Sequence, residues 1–86
     1  MQDIEKKKLS KALGYRIRGI RVQKGLSQEK FSETVNADRT YVCKIENGKS
    51  NLTVWKLCEI CELLGLTLKE FFNNDEFLKK YIDSEE

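Results

Sequence analysis

The sequence predicts an all-α fold in a single domain spanning residues 1–86. Its 86 residues include no proline, the commonest helix breaker. Apolar residues recur at helical spacing in several short runs, and no segment shows the alternation of a β-strand. A chain of this length supports one thin hydrophobic core, which association into a homodimer would supplement.

Glycines and cap-forming residues divide the chain into helices. Gly25, Gly48 and Gly65 each close an apolar run, and glycine readily adopts the left-handed conformation that ends a helix. Cap-type side chains open the runs that follow, and Thr67 has Glu70 three residues on, which predicts a capping box. The predicted caps are Ser27, Asp38, Thr53 and Thr67. The predicted helices are about Ser10 to Lys24 with an earlier start left open, Gln28 to Thr34, Arg39 to Asn47, Val54 to Leu64, Leu68 to Phe72 and Asp75 to Ile82.

The first four helices each present an apolar stripe, which predicts their buried faces. The predicted inward residues are Leu9, Leu13, Ile17, Ile20, Phe31, Val35, Val42, Ile45, Val54, Leu57, Ile60 or Cys61, and Leu64.

The charge is unevenly distributed along the chain. Residues 1–56 contain 13 Lys or Arg and 6 Asp or Glu, a balance of +7, whereas residues 57–86 contain 3 and 8, a balance of −5. A basic front half favours a polyanionic partner.

Several function classes are disfavoured by composition. The sequence contains no histidine, which excludes Ser–His–Asp and Cys–His catalysis and His-ligated metal sites. Cys58 and Cys61 have the spacing of half a zinc site, but Cys43 is the only other cysteine, so we interpret the pair as small apolar residues on a buried helix. We therefore expect no enzyme activity, cofactor, metal or small-molecule ligand. No apolar run spans a membrane and no signal peptide is evident, so we expect a cytoplasmic protein without membrane association.

The second and third predicted helices are joined in a way that is typical of a helix-turn-helix. The connection Val35 to Asp38 contains Asn36, which tolerates the left-handed conformation that a tight turn needs. The second helix of such a motif is the one that enters the major groove of DNA. Its exposed side would carry Arg39, Thr40 and Lys44, side chains that can contact base edges. An ordinary solvated helix face with an arginine and a lysine is an equal alternative at this point.

The segment Leu13 to Phe72 resembles the phage-repressor/Cro-type (XRE-type) helix-turn-helix family. The similarity is carried by Gly14-Tyr15-Arg16-Ile17-Arg18 with Arg21, Gly25-Leu26-Ser27-Gln28-Glu29, Tyr41 to Lys49 and Leu63 to Phe72. The run Asp38 to Tyr41, followed by Asn51-Leu52-Thr53, is also similar to the small controller proteins of restriction–modification systems. This family resemblance implies a compact five-helix, lambda-repressor-like domain over residues 9–73, with residues 74–86 as a C-terminal helix and tail that serve dimerisation.

The resemblance also implies residue roles. Arg39, Thr40 and Lys44 would contact bases, and Arg21 with Glu46 would form a structural ion pair beneath the DNA-binding face. The implied contacts to the DNA backbone are Gln28, Asn47, Lys49, Asn51 and Tyr41, the last with simple packing as an equal alternative.

Large apolar side chains toward the C-terminus exceed what one thin helical layer can bury. Trp55 lies beside the apolar stripe of its helix, so it is either an interface residue or partly covered by the C-terminal segment. We predict a two-fold dimer interface formed by Trp55, Leu66, Leu68, Phe71, Phe72, Phe77 and Tyr81.

Together these features predict a transcriptional regulator that binds double-stranded DNA as a homodimer on a pseudo-palindromic operator. The alternative is an antitoxin or another protein-interaction module on the same fold, favoured by the acidic, aromatic segment 73–86.

Overall fold

The computed structural model describes residues 2–77 and residue 79, and it is helical as predicted. The elements are α1 (Asp3–Gln23), α2 (Gln28–Thr34), α3 (Arg39–Glu46), α4 (Val54–Leu64) and α5 (Leu68–Phe72). Residues 75–77 and 79 are also helical, and no strand occurs among the described residues. Within the same part of the chain, no helix has the length and apolar character needed to cross a bilayer.

The predicted cap residues form the expected bonds. The side chains of Ser27, Asp38, Thr53 and Thr67 each accept a hydrogen bond from the main-chain N–H three residues on. At α5 the capping box is complete, and its hydrogen bonds from Thr67 hold the pKa of the Glu70 carboxyl below its ordinary value. These caps explain why α2, α3, α4 and α5 begin at the predicted residues.

The ends of α1 to α4 share one hydrogen-bond pattern. After each helix a residue with positive φ is followed by a main-chain N–H that reaches back five residues, as Leu26 does to Arg21 at 3.1 Å and Leu66 does to Cys61 at 2.8 Å. Glycine occupies the positive-φ position after α1, α3 and α4, whereas Asn36 occupies it after α2 with φ of 54°. Short, sharply defined connections follow.

Helix α1 begins earlier than its apolar pattern indicates, at Asp3 instead of about Ser10. Two acidic residues, Asp3 and Glu5, lie in its first turn, where they favour the positive end of the helix dipole. The added turns carry lysines Lys6, Lys7 and Lys8 instead of an apolar stripe, so periodicity alone could not detect them.

The core lies where α1, α2, α3, α4 and α5 converge. Its buried residues are Ile17, Ile20, Phe31, Val35, Val42, Ile45, Leu57, Ile60, Cys61 and Phe71. One inward assignment is wrong, and the interpretation of Cys58 and Cys61 as buried apolar residues holds only for Cys61. Val54 is 72% exposed because it opens α4 at the surface. Cys58 is exposed and only Cys61 is buried, which raises the pKa of the Cys61 thiol mainly through desolvation.

Helices α1 and α3 approach closely at Gly14. A Cβ atom at this position would collide with the main-chain carbonyl oxygens of Ile45 and Glu46. The absence of a side chain at Gly14 therefore fixes how deeply α3 seats against α1, and with it the position of the face that α3 presents to solvent.

Candidate nucleic-acid interface

Helices α2 and α3 form a helix-turn-helix whose turn is fixed by local hydrogen bonds. The N–H of Ala37 donates to the carbonyl of Ser32 at 2.9 Å, which closes α2. Asp38 then caps α3 through a 2.8 Å hydrogen bond from the N–H of Tyr41. Because Val35 is completely buried and Ala37 packs against the core, the turn is anchored and sets the orientation of α3.

The two faces of α3 divide as the sequence predicts. Val42 and Ile45 are 1% and 4% exposed, and they attach the helix to the core. Arg39, Thr40 and Lys44 are exposed on the opposite side.

A concave surface that encloses a volume of about 510 Å³ lies along this exposed side of α3. It is hereafter the recognition surface, and it is lined by Gln28, Arg39, Thr40, Cys43, Lys44, Asn47 and Lys49. The lining contains three cationic side chains and no carboxylate, so the surface is complementary to an anionic ligand. Six of the eight residues predicted to contact DNA are brought together here.

The other two predicted contact residues lie elsewhere. Asn51 lies with Asn47 and Lys49 in an adjoining concavity beside α1. Tyr41 is half-buried against the core, and the Lys56 ammonium lies 5.9 Å from the centre of its ring. This placement favours the packing interpretation of Tyr41 over a contact to DNA.

A partly buried polar network lies beneath the recognition surface. The Arg21 guanidinium donates to both carboxylate oxygens of Glu46, at 2.7 and 3.2 Å, and to the carbonyl of Leu26 at 2.9 Å. The amide nitrogen of Gln28 donates to the same Glu46 carboxylate at 3.2 Å. The ion pair inferred from the family resemblance is therefore present, and it connects α1, α2 and α3.

The C-terminal end of α3 is held by Asn47. Its side-chain amide donates to the carbonyl of Cys43 at 2.9 Å and lies 3.5 Å from the Cys43 sulfur. Gly48 follows with φ of 69°, and the chain turns into the loop that carries Lys49 and Asn51. Cys43 thus lies within the recognition surface as a half-buried hydrogen-bond acceptor.

Comparison with known proteins identifies the fold family. Residues 14–81 match the model of a helix-turn-helix domain family. The chain belongs to this helix-turn-helix family. Among its relatives is the control protein C.MunI from a Mycoplasma species, which is 42% identical over 64 residues, or 73% of this chain and 86% of that protein.

Solved structures of helix-turn-helix proteins agree with the architecture. The restriction-modification controller protein C.AhdI from Aeromonas hydrophila matches with a TM-score of 0.67 and 32% identity, covering 73% of this chain and 96% of that one. The controller protein C.Esp1396I, crystallised as a tetramer with its natural 35 base-pair operator, matches with a TM-score of 0.73 and 32% identity, covering 86% and 95%. Both resemblances noted in the sequence, to repressor-type helix-turn-helix proteins and to controllers, are confirmed.

The predicted interface residues are distributed between the surface and the core of this helix-turn-helix domain. Trp55 is 86% exposed, Leu68 and Phe72 are each 38% exposed, and Leu66 is half-buried. Phe71 and Phe77 are instead 1% and 4% exposed, so their assignment to a surface interface is wrong: both side chains are buried within the protomer. Tyr81 lies outside the described residues.

The sequence analysis missed one residue that shapes the domain, Arg16. Its guanidinium donates to the main-chain carbonyls of Phe71 at 2.7 Å and Glu70 at 3.1 Å, and it lies 5.6 Å from the centre of the Phe71 ring. Burial lowers the pKa of Arg16 from its ordinary value. Arg16 thereby ties α5 to α1, and an arginine among many basic residues gives no sequence signal for such a contact.

Proposed function

We propose that this protein is a transcriptional regulator that binds double-stranded DNA in a sequence-specific manner, with α3 in the major groove. The observation that carries the proposal is the recognition surface: a carboxylate-free, cationic concavity on the exposed side of the second helix of a helix-turn-helix. The operator complex of the similar controller C.Esp1396I supports the same use of this fold.

Base recognition is assigned to three exposed residues of α3. Arg39 is suited to donate two hydrogen bonds to O6 and N7 of guanine. Thr40 is suited to a base edge or a thymine methyl group, and Lys44 lies one turn further along the helix. Their exposure and their common lining of the recognition surface support this assignment.

Contacts to the DNA backbone are assigned to residues around α3. Lys49 supplies charge, while Asn47 and Asn51 supply amide groups from the loop after α3. Gln28 uses one N–H of its amide for Glu46, which leaves the second N–H to donate to a phosphate. Tyr41 is the weakest member of the predicted set, since it packs against the core.

We assign the dimer interface to the exposed apolar residues Trp55, Leu68 and Phe72 with the half-buried Leu66, together with Tyr81 in the segment 74–86. The exposure of Trp55, Leu68 and Phe72 in the single chain supports this assignment, since large apolar groups on a small domain mark contact surfaces. A two-fold dimer would place two copies of α3 about 34 Å apart, one turn of DNA, on a pseudo-palindromic operator. In this division, residues 9–73 form the DNA-binding core.

Two further features support the role of a restriction–modification controller. C.MunI, a control protein, matches most of the chain, and two controllers of known structure match its fold. In this proposed role the protein is not an enzyme. It needs no cofactor or small-molecule ligand, since these side chains can contact DNA directly. A regulator of this kind acts on the chromosome or a plasmid, which places it in the cytoplasm.

Selection of bound duplexes from a random pool, near physiological salt, tests this function. The expected result is a pseudo-palindromic motif with half-sites about 10 base pairs apart. Weak, salt-sensitive binding without a motif would overturn the proposal, because it would reduce the cationic surface to a generic polyanion site.

A protein-interaction module, such as an antitoxin, is the second candidate, and one observation favours it. Trp55 borders a groove of about 710 Å³ whose lining also includes Glu33, Glu59, Glu62 and Leu63. An exposed aromatic ring among carboxylates suits a partner that carries basic and apolar residues. Purification of the native protein with a stoichiometric partner, combined with motif-free DNA binding, would favour this candidate.

A further inference from the structure

We propose that the N-terminal turns of α1 and the loop 47–51 form a second DNA-binding surface, which binds backbone phosphates adjoining the base pairs that α3 contacts. The inference rests on the proposed function and extends its footprint. A concave surface of about 600 Å³, hereafter the flanking surface, is lined by Lys6, Lys7 and Lys11 from α1 and by Lys49 and Asn51 from the loop, among others.

The flanking surface is continuous with the recognition surface. Asn47 and Lys49 line both concavities, so the two meet at the C-terminal end of α3. A phosphate backbone held by Asn47 and Lys49 therefore continues onto α1.

The loop packs closely against α1 at Gly48. A Cβ atom added to Gly48 would lie 2.9 Å from Cα and 3.0 Å from the main-chain nitrogen of Lys11. No side chain therefore separates the loop from the helix backbone at this point. Lys11 is held beside Lys49 by main-chain packing, and Lys6 and Lys7 follow one turn toward the N-terminus.

The charge of the flanking surface is available to a ligand. Lys6, Lys7, Lys11 and Lys49 are exposed, and none of the described carboxylates lies within ion-pair distance of their ammonium groups. Asp3 also lines the concavity, so the balance of its lining is three positive charges.

The spacing of the lysines also suits a nucleic-acid strand. Lys7 and Lys11 are separated by four residues, or about 6 Å along the helix axis. Long lysine side chains at this separation can contact neighbouring phosphates of one strand. The ordinary alternative is that these lysines form a solvated basic helix face. In that case their removal would weaken DNA binding no more than the removal of lysines elsewhere on the surface.

The test compares two triple variants that remove the same charge. K6Q/K7Q/K11Q neutralises the flanking surface, and K24Q/K30Q/K69Q neutralises three exposed lysines outside both DNA-facing concavities. Binding to the selected operator is measured over a range of salt concentrations. We expect K6Q/K7Q/K11Q to bind about 10-fold more weakly or worse, with a salt slope flatter by about one per contacting lysine, while the selected motif is unchanged.

The outcomes separate the inference from the proposed function. If the wild-type protein selects a motif and both triple variants bind with equal affinity and slope, the flanking surface is wrong and the function stands. If the wild-type protein selects no motif, the function is wrong, and the salt slopes are then measured on an unselected duplex, where a flatter slope confined to K6Q/K7Q/K11Q supports the surface. Circular dichroism checks the fold, and K6Q/K7Q, which spares the packed Lys11, provides a milder second variant.

Discussion

The carboxylate of Glu46 lies 2.7 Å from Nε of Arg21, and the Glu46 side chain is only 3% exposed. Because the carboxylate also accepts from Gln28, removal of the acid leaves two donors without their partner. Glu46→Ala is therefore expected to lower the free energy of unfolding by about 3–5 kcal/mol. Denaturant titration measures this, and the exposed Lys30–Glu33 pair provides the control, since Glu33→Ala should change stability by less than about 1 kcal/mol. Equal effects of the two variants would contradict a structural role for Glu46.

Gly14 and Gly19 offer a matched pair within α1. Gly14→Ala is expected to destabilise the protein by about 1–3 kcal/mol, because the added Cβ collides with main-chain oxygens of α3. Gly19→Ala is expected to stabilise it by about 0.5–1 kcal/mol, because a Cβ there meets nothing within 4 Å and alanine favours the helix. Thermal unfolding of both variants gives the comparison, and shifts of the same sign would disprove the close approach of α1 and α3.

Arg39→Ala tests base recognition. The variant is expected to lose about 1–3 kcal/mol of operator binding and to accept more bases at one position of each half-site. Repeating the duplex selection with the variant measures both effects, and an unchanged stability shows that the loss is local. A variant that retained the wild-type motif and affinity would remove Arg39 from the base-contacting set.

Lys49→Ala tests contact to the backbone. Since a phosphate contact carries no sequence information, the variant is expected to weaken binding to all duplexes alike. The slope of log affinity against log salt should become flatter by about one for each lysine lost. A change confined to one operator sequence would instead assign Lys49 to base recognition.

Trp55→Ala tests the dimer interface. The Trp55 side chain is 86% exposed in the protomer, so it is available to an interface. Its removal is expected to weaken the dimer by about 1–2 kcal/mol, roughly a tenfold rise in the dimer dissociation constant. Sedimentation equilibrium provides the constant. Val22→Ala, at an exposed apolar position on α1, is the control and should leave it unchanged. A wild-type monomer at high micromolar concentration would rule out the proposed interface.

The helices that could be predicted from the sequence are those whose ends contain capping side chains or turn-forming residues. Hydrogen bonds made within a few residues determine three such features: the start of α2 after Ser27, the turn at Asn36 and the start of the short α5 after Thr67. The same local rules failed at the N-terminus of α1, because Gln2 makes no side-chain cap and the lysines that follow lack an apolar stripe. Local chemistry therefore determined boundaries wherever a cap was present.

Features that depend on contacts between distant parts of the chain were not accessible in this way. Phe71 was assigned to the surface, but the docking of α5 on Arg16, 55 residues earlier, turns its ring into the core. Val54 follows the apolar phase of α4 and is nevertheless exposed, because no element among the described residues covers the start of that helix. The residues that line the recognition surface were predictable to a greater extent, since a family resemblance already includes such long-range information.

The side chains of Arg39, Thr40 and Lys44 take part in none of the side-chain hydrogen bonds or ion pairs found among the described residues. The scaffold depends instead on Arg21, Glu46 and the buried apolar groups. Substitution of these three residues is therefore expected to cost little folding free energy. If these three side chains contact the bases as proposed, a new operator sequence would require exchanges only at surface positions that the folded domain does not need.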